Sequence, residues 1–186
     1  PTKNGKETMK ALAKFVGRGR KNVHVYSDNS KEINTACEAL DFQHDTSQPY
    51  RSETNGLIEN AVKRVNQGTS CALSQSGLTT YWWPAAMAIY CFFRNNVDVH
   101  TCGKTAFEQR FNEPFKGKLI PLGAEVTYVP HSPDDKERCH KFGPKRLEGI
   151  FKGYQQEHGG GWTKQVYILD SEELENADDP SQIHHR

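Results

Sequence analysis

Apolar residues recur at helical spacing in four stretches of the chain. Met9, Leu12, Phe15 and Val16 share one face, with Lys10 and Lys14 on the other, which predicts an amphipathic helix over 7–16. Ile33, Ala36, Cys37 and Leu40 give a second helix. Asn29 is placed to cap it, with Glu32 three residues later at capping-box spacing. Ile58, Val62 and Val65 set the apolar stripe of a third helix over 52–73. The fourth runs from Trp83 to Phe93 and carries Pro84 in its first turn, where proline is tolerated. TAFEQRF, Thr105 to Phe111, reads as a further short helix.

Between these stretches the period shortens. VHVYSDN predicts a short buried strand ending at Asp28, and a second short strand is predicted near Phe42 in an otherwise aperiodic loop over 41–51. Beyond Leu119, LGAEVTYVP, EGIFKGY and KQVYILD are strand-like segments separated by Gly, Pro and charged turns. The expected organisation is an α/β core over 1–115, a small β-rich module over 116–170, and an acidic, unfolded tail over 171–186.

Composition changes this picture little. The chain has 186 residues, 35% hydrophobic and 25% charged, which supports a modest core and excludes a wholly disordered chain. Its net charge of +1 hides a basic start and the acidic DSEELENADD, so any case for nucleic-acid binding rests on local patches. Five cysteines without a CxxC read as reduced thiols of an intracellular protein, with no disulfide framework or zinc site. The longest apolar run is too short to span a bilayer, so no membrane partner is expected. The basic GRGRK reads equally as a phosphate contact or a solvated turn. The Trp82-Trp83 pair, at helical spacing with Met87 and Tyr90, reads as core.

Two acids stand out from this background. Asp28 lies at the carboxyl end of a strand, where open α/β sheets place their sites. Glu59 lies in the first turns of a later helix, on a polar face with Lys63 and Asn66. Two carboxylates meeting from separate elements suit magnesium, which takes oxygen ligands and keeps waters or substrate phosphates in its other positions. The plain alternative is a turn aspartate and a solvated Glu-Lys pair worth a few tenths of a kcal/mol.

YSDNSKEI, followed about twenty residues later by QPYRSETNGLIENAVKRV, resembles the catalytic core of retroviral and retrotransposon integrases, the copia type in particular. YWWPAAMAIYCFFRNN, TAFEQRFNEPFKGKLIPLGAEVTYVP and KFGPKRLEGIFKGYQQ resemble downstream segments of copia polyproteins, so the likeness covers roughly Lys6 to Asp170. It implies an RNase H-like fold, a mixed sheet flanked by helices. It also implies metal-dependent cleavage and joining of DNA by in-line attack on phosphodiesters. Asp28 would be the second acid of an Asp-Asp-Glu triad and Glu59 the third, holding magnesium or manganese. Lys63 would contact donor DNA, with Arg64, Asn55, Tyr50 and Arg51 beside it. The implied partners are element ends and a target duplex, and the implied assembly is a multimer acting in the nucleus at integration.

The departures are specific. No strand precedes Lys6 to carry the family's first acid, which implies an N-terminally truncated core with little activity alone. Thirty residues separate Asp28 from Glu59, fewer than is usual in the family. Asn60 replaces the basic residue that commonly follows the glutamate, and Ser30 replaces a glycine. A non-catalytic nucleic-acid-binding or assembly module derived from an integrase is the alternative.

Overall fold

A computed structural model describes residues 4–20, 22–47 and 56–186. The chain forms two compact units, residues 1–64 with 156–163, and residues 65–155 with 164–186. This division differs from the boundary expected at 115.

In the first unit, helix α1 (Gly5–Val16) is capped by Asn4, whose side chain accepts the Glu7 N–H at 2.8 Å. It buries Val16 but leaves Phe15, expected on the apolar face, 69% exposed. It ends at Gly17, whose φ of +82° suits glycine. A Cβ there would also sit 2.8 Å from the Gly159 Cα, and the Gly159 N–H donates to the Lys14 carbonyl at 2.7 Å. Strand β1 (His24–Ser27), helix α2 (Lys31–Ala39) and strand β2 (Gln43–Thr46) follow. β1 and β2 pair in parallel, His24 against Gln43 through Ser27 against Thr46. A parallel pair needs a crossover, and α2 supplies it while burying Ala36 and Cys37 and packing on α1.

Two local expectations fail here. Asn29 is not the cap of α2. Ser30 occupies that position without a side-chain cap bond, and the Asn29 side-chain Oδ1 instead accepts a hydrogen bond from the Asn34 side-chain Nδ2 at 2.8 Å. β1 is not buried on both faces either: His24 and Tyr26 are exposed while Val25 and Ser27 are half-buried. An alternating strand has one covered face, and only β2 pairs with β1 among the described residues.

Helix α3 (Gly56–Ser76) opens with its residues up to Arg64 in the first unit and continues into the second. Within the second unit α3 passes close to helix α4 (Trp83–Val97), where a Cβ on Gly68 would lie 2.0 Å from the Tyr90 ring. α4 buries Ala86, Ile89 and Phe92, and the first two join Leu122 and Phe151 in the core. Phe92 stacks on Tyr154 with centroids 4.2 Å apart. The Tyr154 hydroxyl accepts the Ile120 N–H at 2.7 Å and donates to the Lys118 carbonyl at 2.6 Å, fixing the chain that enters the sheet. Helix α5 (Ala106–Phe111) carries a complete capping box between Thr105 and Glu108. Of the tryptophan pair, Trp82 is core and Trp83 is 45% exposed.

The sheet of this unit has the order β3 (Glu125–Tyr128), β4 (Leu147–Gln156), β5 (Trp162–Asp170), so the three strands read from sequence form one meander. β3 and β4 are antiparallel, and helix α6 (Pro133–Glu137) lies in their connection. The segment 171–186, expected to be unfolded, is ordered. Helix α7 (Ser171–Asn176) follows β5 directly, and Ile183 is buried with Trp82 and Leu169. Ile168 and Arg186 exchange both backbone hydrogen bonds, at 3.0 and 2.9 Å. Counting acids alone missed this, because one apolar anchor and two arginines offset the charge.

Candidate functional site

Parallel pairing places the carboxyl ends of β1 and β2 at one edge of the first unit's sheet. Asp28 stands there, one residue past β1, and Ser47 one residue past β2. The Ser27 hydroxyl donates to the Asp28 carbonyl and contacts His44 Nε2, each at 2.8 Å, which ties the end of β1 to β2. On the open face His24 Nε2 meets the Asp45 carboxylate at 2.7 Å.

Glu59, Lys63 and Arg64 lie in the opening turns of α3, all exposed, as is Asp28. The Glu59-to-Lys63 pair that the helical spacing suggests is not formed among the described residues, and no described cation neutralises Asp28. Tyr50, Arg51 and Asn55 lie outside the described residues. Gly56 is the first residue of α3 and adopts no left-handed φ. The apolar stripe expected to bury this helix starts late. Leu57 is 88% exposed, Ile58 46% and Val62 53%, and the helix reaches full burial only at Thr69. Nothing among the described residues covers its first two turns.

Asp28 and Glu59 thus belong to one unit and come from separate elements, without a hydrogen bond or ion pair joining them. Among the described residues no group of three or more His, Cys, Asp or Glu side chains is arranged to hold a metal ion. Asp28 and Glu59 are each exposed carboxylates, of the hard oxygen type that magnesium takes alongside waters and phosphates.

A second charged centre lies wholly in the other unit, and sequence reading did not find it. Asp170 is fully buried; it accepts the Tyr128 hydroxyl at 2.6 Å and the Arg138 guanidinium at 3.0 and 3.1 Å. Asp135, 3% exposed, takes both a 2.7 and a 2.9 Å hydrogen bond from Arg186. Glu172 and Glu173 complete the arginines' shells at 2.5 Å each. Burial pushes the Asp170 pKa up, but the bonds from Arg138, Tyr128 and the Glu173 N–H outweigh it and hold the carboxyl below its usual range. The Arg186 hydrogen bond does the same for Asp135 against burial. Burial, then Asp170, raises the Tyr128 hydroxyl. Four carboxylates share two guanidiniums, and every one of them is in an ion pair, so this centre fastens the last segment to the sheet. Its one sequence signal was Asp170 three residues before Glu173, N-cap spacing, and the Asp170 side chain does accept the Glu173 N–H at 3.0 Å.

No family model matches the chain, and no curated protein matches it. Solved structures similar to it include a simian T-cell lymphotropic virus intasome in complex with the PP2A regulatory subunit B56 gamma. That match has 19% identity and a TM-score of 0.47, and covers 89% of this chain. The chain spans 58% of that protein's length. The catalytic core domain of BIV integrase is also similar, at 20% identity and a TM-score of 0.44, over 59% of this chain and 72% of that one.

Proposed function

We propose that the chain is part of an integrase-type polynucleotidyl transferase in which Asp28 and Glu59 hold a divalent cation against DNA. The observation that supports this most is the parallel pairing of β1 with β2, which sets Asp28 at the edge from which the chain leaves toward Glu59. Strand, aspartate, crossover helix, strand, loop and glutamate-bearing helix then follow in the order that the resemblance implies. Both carboxylates are exposed and free of described cations, as ligands awaiting a metal must be.

Magnesium or manganese bound there would polarise a phosphoryl oxygen. The chain's own residues bind and orient. The bond from Ser27 steadies the backbone at Asp28, and α3 carries Glu59 on a rigid element. Lys63, one turn on, meets a backbone phosphate, with Arg64 beside it. Tyr50, Arg51 and Asn55, which lie outside the described residues, are assigned to DNA contact by the resemblance alone. In this reading the partners are element ends and a target duplex, the working form is a multimer, and the work is done in the nucleus. The sequence supplies two acids of the family's three, so metal binding is the informative assay and strand joining by this chain is expected to be negligible.

Calorimetric titration of manganese into the chain, with Asp28→Asn and Glu59→Gln in parallel, tests the reading. Each variant should raise the dissociation constant about tenfold or more, since loss of even an outer-shell partner costs that much. Unchanged binding in both would make the acids relics of a non-catalytic nucleic-acid-binding or assembly module.

A further inference from the structure

The connection between α6 and β4 has a different chemistry from the rest of the second unit. From Arg138 to Leu147 the sequence carries Arg138, Lys141, Lys145 and Arg146 and no acid. Phe142 sits in the middle of it, 87% exposed, the most exposed aromatic ring among the described residues. A single exposed apolar side chain is ordinary on a protein surface. This one is held outward by an ordered loop. The Lys145 ammonium donates to the carbonyls of His140 and Lys141 at 2.8 and 2.9 Å. The Gly143 N–H closes a turn on the His140 carbonyl at 3.1 Å, and the Phe142 N–H donates to His140 Nδ1 at 3.2 Å. Arg138, bonded to buried Asp170, anchors the root of the loop. Lys141 stands 5.5 Å from the centre of the Phe142 ring.

We infer that this loop is a binding site for single-stranded nucleic acid, with Phe142 stacking on an unpaired base and Lys141 and Arg146 neutralising the flanking phosphates. Base–aromatic stacking needs one rigid, exposed ring beside cations, and it tolerates any base because every base has a π-face. The same ingredients serve anionic membranes, but stable insertion draws on more apolar area than one ring beside Gly143 and Pro144 offers. The site is separate from Asp28 and Glu59 and does not rest on the reading of those acids.

The test is fluorescence anisotropy of a labelled oligothymidylate with the full chain at low salt and in EDTA, beside a duplex of equal length. Phe142→Ala should weaken single-strand binding about 5- to 160-fold, leave duplex binding unchanged, and be reversed by Phe142→Trp. Lys141→Gln with Arg146→Gln should flatten the slope of log affinity against log salt by about 1.4, at ~0.7 per phosphate. The ring is exposed, so the thermal melt of Phe142→Ala should match the parent. Equal single-strand binding by Phe142→Ala, equal weakening on duplex, or Phe142-dependent binding to phosphatidylserine vesicles in place of oligonucleotide would overturn the inference. The assay runs in EDTA, which strips any cation from Asp28 and Glu59, so failure of the metal site and failure of this one are distinguishable.

Discussion

Replacing Asp170 with asparagine isolates what the buried ionic centre contributes to stability. Four donors converge on its two oxygens: Tyr128 Oη and Arg138 Nη1 on Oδ2, Arg138 Nη2 and the Glu173 N–H on Oδ1. An asparagine keeps the shape but turns one oxygen into an NH2 group. Whichever way the amide flips, two donors then face a donor, and Arg138 loses its only fully buried counter-charge. Breaking a buried pair from one side costs about 3–5 kcal/mol. Arg138 keeps Glu172 and Asp135 and is 31% exposed, which places the expected loss near the lower end, about 3 kcal/mol. Glu172→Gln is the contrasting variant. Its contact with Arg138 is short at 2.5 Å, but the carboxylate is 68% exposed, so its loss should cost about 0–1 kcal/mol. Urea unfolding at pH 7 with an unchanged m-value reads both numbers. A loss under about 1 kcal/mol for Asp170→Asn, or equal losses for the two variants, would refute the argument that burial rather than distance sets the worth of these bonds.

Two more outcomes follow from the same geometry. Asp135 and Asp170 are held below the usual carboxylate pKa, so the unfolded chain binds more protons than the folded one as acid is added. Their stabilisation is complete above about pH 4 and is lost as pH falls through the folded values, and urea unfolding between pH 5 and 2.5 should show a shallower slope for Asp170→Asn. Gly68→Ala would gain about 1 kcal/mol from helix propensity alone. Its Cβ would fall 2.0 Å from the Tyr90 ring, however, and overpacking of about 1–3 kcal/mol should give a net loss in a thermal melt. A raised melting temperature would show that Tyr90 moves aside freely.

Much of the architecture was legible because period is a local property. α1, α2, α4 and the three-stranded meander each announce themselves by spacing, and Pro84 and Thr105 mark helix starts. Phe15, Ile58 and Val62 show the limit, since periodicity names a face but not whether anything covers it. Asn29 was misread for a similar reason. Its side chain had two competing partners, and Asn34 won over the helix N-terminus. The ionic centre was illegible because Arg138 reaches Asp170 across 32 residues and Arg186 reaches Asp135 across 51, and no local pattern carries such pairings. Of the candidate site, the strand-end placement of Asp28 and the helical placement of Glu59 were both legible, while spacing says nothing of the distance between residues thirty apart.

The central claim is that Asp28 and Glu59 act on one cation. Manganese titration followed by electron paramagnetic resonance, on the parent, each single variant and the double variant, tests it directly. Shared coordination predicts one tight site in the parent, and a double variant no weaker than the weaker single one, because removing either ligand already dismantles the site. Losses that simply add, or a tight site that survives Asp28→Asn with Glu59→Gln, would contradict it.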